Sequence, residues 1–350
     1  MLDRTLTGNR LIGLIEFLGR SRTLIGPVKR NGHYFYARAS HPSDLSLAFP
    51  FCVYSPKSFL FPPRETLFTF EREGGSFKTS PVYDKTPLAI VGIHPCDLNA
   101  IRLLDHVFAN GNIDEHYLKR RAASFLLGID CPSPCTEGVF CRDMKTDRAV
   151  SGFDLMLYPL SGAESEARYG VVFGTPAGRE CAVASKATEP ATANDERELE
   201  RYIARKERAF PSRIPYEVET LPGLLDRSYD SLLWEATARR CYSCGSCNLS
   251  CPTCYCFNTY DEVELSGCRG TRRREWDACQ LSSFAKVAGD HNFRAKPAER
   301  LRHRIYRKAK WIREREGLAG CVGCARCDRA CTAKIQSVEI YRQLAEESRT

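Results

Sequence analysis

The stretch CYSCGSCNLSCPTCYC, Cys241 to Cys256, places six cysteines in sixteen residues, and a second run, CVGCARCDRAC, extends from Cys321 to Cys331. Both contain C-x2-C-x2-C-x3-C: Cys241, Cys244, Cys247 and Cys251 in the first, Cys321, Cys324, Cys327 and Cys331 in the second. The chain has eighteen cysteines in 350 residues, and twelve of them lie at or beyond Cys241. The N-terminal MLDRTLTGNRLIGLIEFLGRSR is broken by Glu16 and lacks a small-residue cleavage site, so no signal peptide is expected and a cytoplasmic address follows. A reducing compartment disfavours disulfides, which turns the cysteines toward metal or cluster ligation.

The repeated spacing is that of bacterial ferredoxins, in which three cysteines hold one [4Fe–4S] cluster and the fourth reaches the other. Two-residue gaps let a tight loop wrap three corners of a small cube, and the fourth cysteine sits where the chain leaves. The expected ligand sets are Cys241, Cys244 and Cys247 with Cys331, and Cys321, Cys324 and Cys327 with Cys251. Gly245 and Gly323 are expected to let the backbone crowd the inorganic sulfides. Structural zinc usually joins two cysteines to a distant second pair, often with histidine; neither run contains a histidine. Cys254, Cys256, Cys268 and Cys279 are read as buried small hydrophobes, with a redox role for Cys254 or Cys256 as the alternative. Cys52 receives no role.

Length suggests two domains, and 43% hydrophobic with 27% charged residues is ordinary for a globular protein. No apolar run approaches the ~18 residues that span a bilayer. Net charge is +8, and Arg269 to Arg315 alone carries fifteen Lys/Arg against five Asp/Glu. Nucleic-acid binding would need base-reading aromatics, and Tyr306 and Trp311 are thin support. The stripe, which includes RLRHRIYRKAKWIRERE, reads instead as a solvated helix face or a dock for an acidic partner.

In the N-terminal half, TPLAIVGI (Thr86 to Ile93) and ASFLLGI (Ala123 to Ile129) read as buried strands. Pro95 opens a helix between them, with Leu98, Ile101, Leu104 and Phe108 on one face. This predicts a βαβ unit in an α/β or α+β domain. Cys96 and Cys131 each follow a strand closely, and with Cys135 and Cys141 they form a candidate third [4Fe–4S] site at the carboxyl ends of the strands. Cys181 is the reserve ligand. His94 is expected to be a hydrogen-bonding neighbour of that site, and His291 and His303 surface residues. Thr175 to Asp195 reads as a loop or interdomain connection, Glu196 to Arg208 as a charged helix, and PSRIPYEVETLPG as a linker. The domain boundary falls near Leu221, giving domains 1–221 and 222–350. Beyond it Leu224, Leu225, Leu232, Leu233 and Ala236 should form one helical face leading to Cys241.

CPTCYCF, WDACQ, AGDHNFR and GCVGCARCDRAC, with GIHPCDLNAIRLLDHVF and GIDCPSPCTEGVFC upstream, resemble a dicluster protein found in two assemblies. In one it is the beta subunit of cytosolic sulfhydrogenase-type [NiFe] hydrogenases; in the other it is the corresponding iron–sulfur subunit of anaerobic sulfite reductase. The likeness runs from about Thr86 to the C-terminus. It departs from the ferredoxin pattern at Thr332, where proline usually follows the last cysteine. The resemblance implies an α+β chain: an N-terminal mixed α/β domain, then an α-helical ferredoxin domain with two [4Fe–4S] clusters. It also implies an electron-transfer role between a flavin subunit that handles NAD(P)H and a catalytic [NiFe] hydrogenase or siroheme sulfite reductase, with FAD only in the partner. No G-x-G-x-x-G fingerprint or P-loop is present, so the chain alone is not expected to turn over a substrate. A cluster-based reductase of disulfide or sulfur compounds is the enzymatic alternative, and a cluster-bearing DNA-binding regulator the third.

Overall fold

Leu88–Ile93 and Ser124–Ile129 are buried along their whole length and pair in parallel, the pattern of strands covered on both faces. They sit at the centre of a computed structural model that describes residues 1–162 and 167–348. In chain order its strands are β1 (Arg4–Thr7), β2 (Thr23–Arg30), β3 (His33–Arg38), β4 (Arg64–Glu73), β5 (Ser76–Pro81) and β6 (Leu88–Ile93). There follow β7 (Ser124–Ile129), β8 (Leu155–Ser161), β9 (Arg168–Phe173), β10 (Glu189–Pro190), β11 (Phe257–Val263) and β12 (Arg269–Trp276). Among the described residues they form an eight-stranded sheet, β10-β1-β9-β8-β7-β6-β2-β3, and a four-stranded sheet, β11-β12-β4-β5. In the first, β2, β6, β7 and β8 are parallel and the flanking strands antiparallel.

Alternate residues of the central strands feed opposite layers, as a period of two requires. Ile90, Leu126 and Met156 pack with Leu98, Ile101 and Leu104 of the helix Pro95–Ala109. Ala89, Val91, Phe125, Leu127 and Leu155 pack with Leu11, Leu14, Ile15 and Leu18 of the helix Gly8–Gly19. Pro95 occupies the first turn of its helix, where its missing N–H costs nothing. Just before it, β6 carries a bulge at Gly92, whose φ is +72°. Bulges re-aim a strand end, and this one delivers the chain to Cys96.

Several expectations are corrected. The supposed loop from Thr175 to Asp195 holds a helix, Pro176–Ala184, the short strand β10 and the start of a helix at Ala193–Ala209. PSRIPYEVETLPG is packed rather than free: Ile214, Val218 and Leu221 are buried in one core with Phe140, Leu301 and Tyr341. Pro222 there opens the helix Leu221–Arg227. The single helical face before Cys241 is two short helices, Leu221–Arg227 and Leu233–Ala238; Leu232 and Ala236 point to solvent, and Trp234, Thr237 and Ala238 are buried instead. The C-terminal part is not wholly helical, since β11 pairs with β12 and β12 with β4. Segments on both sides of Leu221 thus share a sheet and a core.

Arg274 of β12 anchors that shared sheet. It is 2% exposed, binds Glu65 of β4 at 2.6 Å and pairs with Asp114, the N-cap of the helix Glu115–Ala122. Glu65 also takes Arg120 at 2.7 Å. Arg274→Met would leave the largely enclosed Asp114 carboxylate without its cation. The expected outcome is a lower unfolding midpoint, a loss of about 3–5 kcal/mol, read by thermal denaturation of the intact protein.

Candidate metal centre

The two cysteine runs fold alike. In each, the residues just before and after the second cysteine have positive φ: Ser243 (53°) and Gly245 (76°) in the first, Gly323 (62°) and Ala325 (54°) in the second. This left-handed backbone turns amides inward. The N–H of Ser243 donates to Cys241 Sγ at 3.4 Å and that of Gly323 to Cys321 Sγ at 3.5 Å, forming the concavities that favour anions. A short helix then carries the third cysteine, Ser246–Leu249 in one run and Arg326–Ala330 in the other.

The folding of the runs opens two cavities. One is lined by Cys241, Cys244, Cys247 and Cys331, the other by Cys251, Cys321, Cys324 and Cys327. Each therefore draws three thiols from one run and one from the other. Among the described lining residues there is no carboxylate and no histidine. Nor do three His, Cys, Asp or Glu side chains among the described residues converge as ligands of a single metal ion do. Burial pushes the Cys321 thiol up to about 11 and the Cys324 thiol up to about 12.

Cations occupy the wall of the second cavity. Arg304 and Lys308, one turn apart and both buried, line it. The Lys308 ammonium donates to Thr253 Oγ1 at 2.7 Å. The Arg304 Nε, fully buried, has no hydrogen-bond partner among the described residues. Burial works against the charge on Arg304, yet Cys247, Cys327, Cys251 and Cys254 hold its pKa well above the usual guanidinium value. A third buried cation, Lys57, donates to the carbonyls of Cys251 and Cys254 at 3.0 Å each and lies over the Trp276 ring. An orphaned guanidinium N–H facing soft sulfur donors fits an anionic iron–sulfur group.

These cations correct the reading of the basic stripe as a solvated face. Arg300, Arg304 and Lys308 are buried, and the exposed members are mostly engaged: Arg269 with Glu71, Arg272 with Asp261, Arg315 with Glu316. Sequence reasoning missed Arg304 and Lys308 as site residues; their i, i+4 spacing was the available signal. A five-residue π turn, Arg307–Trp311, lies in this segment, a distortion often found at functional sites. His303 is half-buried against Trp311 rather than on the surface, and burial lowers it to about 4; His291 is exposed.

The remaining predicted residues divide. Cys254 and Cys279 are buried, and both sulfurs accept from Asn248 Nδ2, at 3.4 and 3.2 Å. Cys256 is half-buried, whereas Cys268 is exposed in the β11–β12 turn and is no core residue. Gly323 faces backbone rather than sulfide alone: a Cβ there would meet the carbonyl carbon of Phe140 at 2.4 Å. Cys96, Cys131 and Cys141 lie beside this second run, with Cys96, Cys141 and Cys324 in one apolar cluster and Cys131 against it; Cys135 lines a groove together with Cys131. Cys181 packs in a different core, among Leu6, Leu155 and Val171. His94 stacks on Phe49 with ring centroids 4.4 Å apart, and burial lowers it to about 4, so it stands as a neutral stacking partner. Cys52 is buried, and its carbonyl accepts from Arg326 Nε at 3.1 Å.

Among the described residues no helix is long and apolar enough to cross a membrane. Residues 240–335 match the model of the 4Fe-4S dicluster domain family. Over 335 residues the chain is 30% identical to sulfhydrogenase 2 subunit beta of Pyrococcus furiosus, covering 95% of this chain and 96% of that protein. No solved structure matches. With crossed cysteine cavities in the region of the dicluster match, and likeness along nearly the whole length, the chain belongs to the iron–sulfur family of the sulfhydrogenase beta subunit.

Proposed function

We propose that this chain is an electron-relay subunit that joins a flavin- and NAD(P)-binding subunit to a catalytic [NiFe] hydrogenase subunit. One [4Fe–4S] group would be held by Cys241, Cys244, Cys247 and Cys331, the other by Cys321, Cys324, Cys327 and Cys251. The observation that carries this reading is the pair of neighbouring thiol-lined cavities, each completed by a cysteine of the opposite run. The hydrogenase partner is favoured over a siroheme sulfite reductase by the name of the similar Pyrococcus furiosus protein.

Bound [4Fe–4S] groups supply reversible one-electron chemistry. The protein's own residues hold, balance and shield them. Inward amides of Ser243 and Gly323 place partial positive charge near the sulfurs. Arg304 and Lys308 add full charges where water is excluded and screening is weak. Tyr341, Ile305 and Phe140 close the second cavity with apolar surface.

Three measurements test the reading. Cys331→Ser should change the EPR signal of the group on Cys241, Cys244 and Cys247, and Cys251→Ser that of the other; the reverse assignment rejects the crossed pairing. Arg304→Gln should lower the midpoint potential of the group at Cys321, on the order of tens of millivolts, because the added electron loses a buried counter-charge. A potentiometric EPR titration reads the shift, and an unchanged or higher potential argues against the cation's role. Finally, the isolated chain should accept electrons from dithionite without hydrogen, sulfite or NAD(P)H turnover, and should copurify from its host with flavin and nickel. Turnover by the flavin-free, nickel-free chain would make it an enzyme instead, and siroheme in place of nickel would change the partner.

A further inference from the structure

Outside the dicluster region, four more cysteines come together from separate segments of the N-terminal half. We propose that Cys96, Cys131, Cys135 and Cys141 hold a third [4Fe–4S] cluster at the carboxyl edge of β6 and β7. This goes beyond the two-group relay and does not depend on it.

The topology brings the first two together. Cys96 lies in the first turn of Pro95–Ala109, directly after β6, and Cys131 follows β7 by two residues. The strands are parallel neighbours with Ile93 opposite Gly128, so both cysteines leave the sheet at the edge where open α/β sheets take ligands. Cys96 and Cys141 share a buried cluster with Ala100, Phe210, Val322 and Cys324, and Cys131 packs against it. Cys135 is within electrostatic reach of all three other thiols. None of the four is in a disulfide.

The connection that carries Cys131, Cys135 and Cys141 has neither helix nor strand between β7 and β8. Structureless loops of this length are uncommon in compact domains unless they are functional. This one is nonetheless anchored: the Phe140 N–H donates to the Gly323 carbonyl at 2.8 Å, and Thr146 Oγ1 to the Val322 carbonyl at 2.8 Å. Both arms of the site are braced by buried ion pairs. Asp97, next to Cys96, takes two bonds from Arg326 at 2.6 and 2.8 Å. Asp130, next to Cys131, binds Lys206 at 2.7 Å and Tyr202 at 2.9 Å. With both carboxylates engaged, sulfur is the donor left facing the site, and an all-thiolate set suits an iron–sulfur cluster. The helix N-terminus at Cys96 adds a favourable dipole for an anionic group. On the outer side, Cys131 and Cys135 border an open groove of about 860 Å3 together with His94 and Arg205.

The test uses the full chain, purified anaerobically with its clusters and assayed for iron, acid-labile sulfide and zinc, beside the double variant C131A/C135A. The expected result is about twelve irons per chain, falling by about one third in the variant, with one EPR signal lost and those of the C-terminal groups kept. About eight irons in the wild-type protein, or a variant with unchanged iron, overturns the third site while leaving the two-group reading intact. Zinc lost with the two cysteines in place of iron also overturns it. The wild-type count decides the matter independently of how well the variant folds.

Discussion

Arg326 is where the two halves of the chain are locked together. Its guanidinium takes both oxygens of Asp97, on the helix that follows β6, and its Nε reaches the Cys52 carbonyl. All of this is buried. A buried pair of this kind contributes little net stability compared with a well-packed apolar contact, but breaking it leaves an uncompensated charge in a dry interior. It therefore acts as a register pin. The second cysteine run cannot shift against the large sheet without exposing Arg326 or stranding Asp97. Gly323 acts in the same place by shape, since only a residue without a side chain allows the two backbones to approach there.

A second theme is charge taken out of solvent around sulfur. Thiolates and inorganic sulfide are costly to bury alone. This chain answers with Arg304, Lys308 and Lys57 against the C-terminal cysteines, and with Lys206 and Arg326, each already bound to an aspartate, nearer the N-terminal ones. The first group is therefore a set of net positive neighbours and the second a set of neutral pairs. The two environments differ in the field they place on whatever they enclose.

Much of this is legible in the sequence where the signal is local. The runs at Cys241 and Cys321 announce a cluster motif through spacing alone, and β6 and β7 stand out because six consecutive buried positions require apolar runs covered on both faces. The helix Ala193–Ala209 is legible nearly in full, short of its last residue and of its opening turn, where Thr192 and Asp195 form a capping box. What escapes depends on partners distant in the chain. The strand β12 carries so many cations that it reads as part of a basic stripe, and only pairing with β4 and β11 makes it the middle of a sheet. Gly74 and Gly75, between β4 and β5, are a hairpin signal that the strong cysteine motifs overshadow. Arg304 and Lys308 look like solvated residues because their i, i+4 spacing marks a shared helix face without revealing the distant cysteines that it meets.

The four-stranded sheet has a consequence for synthesis. The β4–β5 hairpin leaves the ribosome long before β11 and β12 exist, so the edge of β4 that will pair with β12 is at first open. An unpaired strand edge is a template for association with other chains, and non-local pairing slows folding. Glu71 on that edge, later matched by Arg269, is an unpaired carboxylate during this interval, whereas Glu65, later matched by Arg274, has Arg120 as its partner from the N-terminal half. A carboxylate on an open edge blunts edge-to-edge joining of two copies, so a charge that later holds the sheet together first keeps it apart from its neighbours.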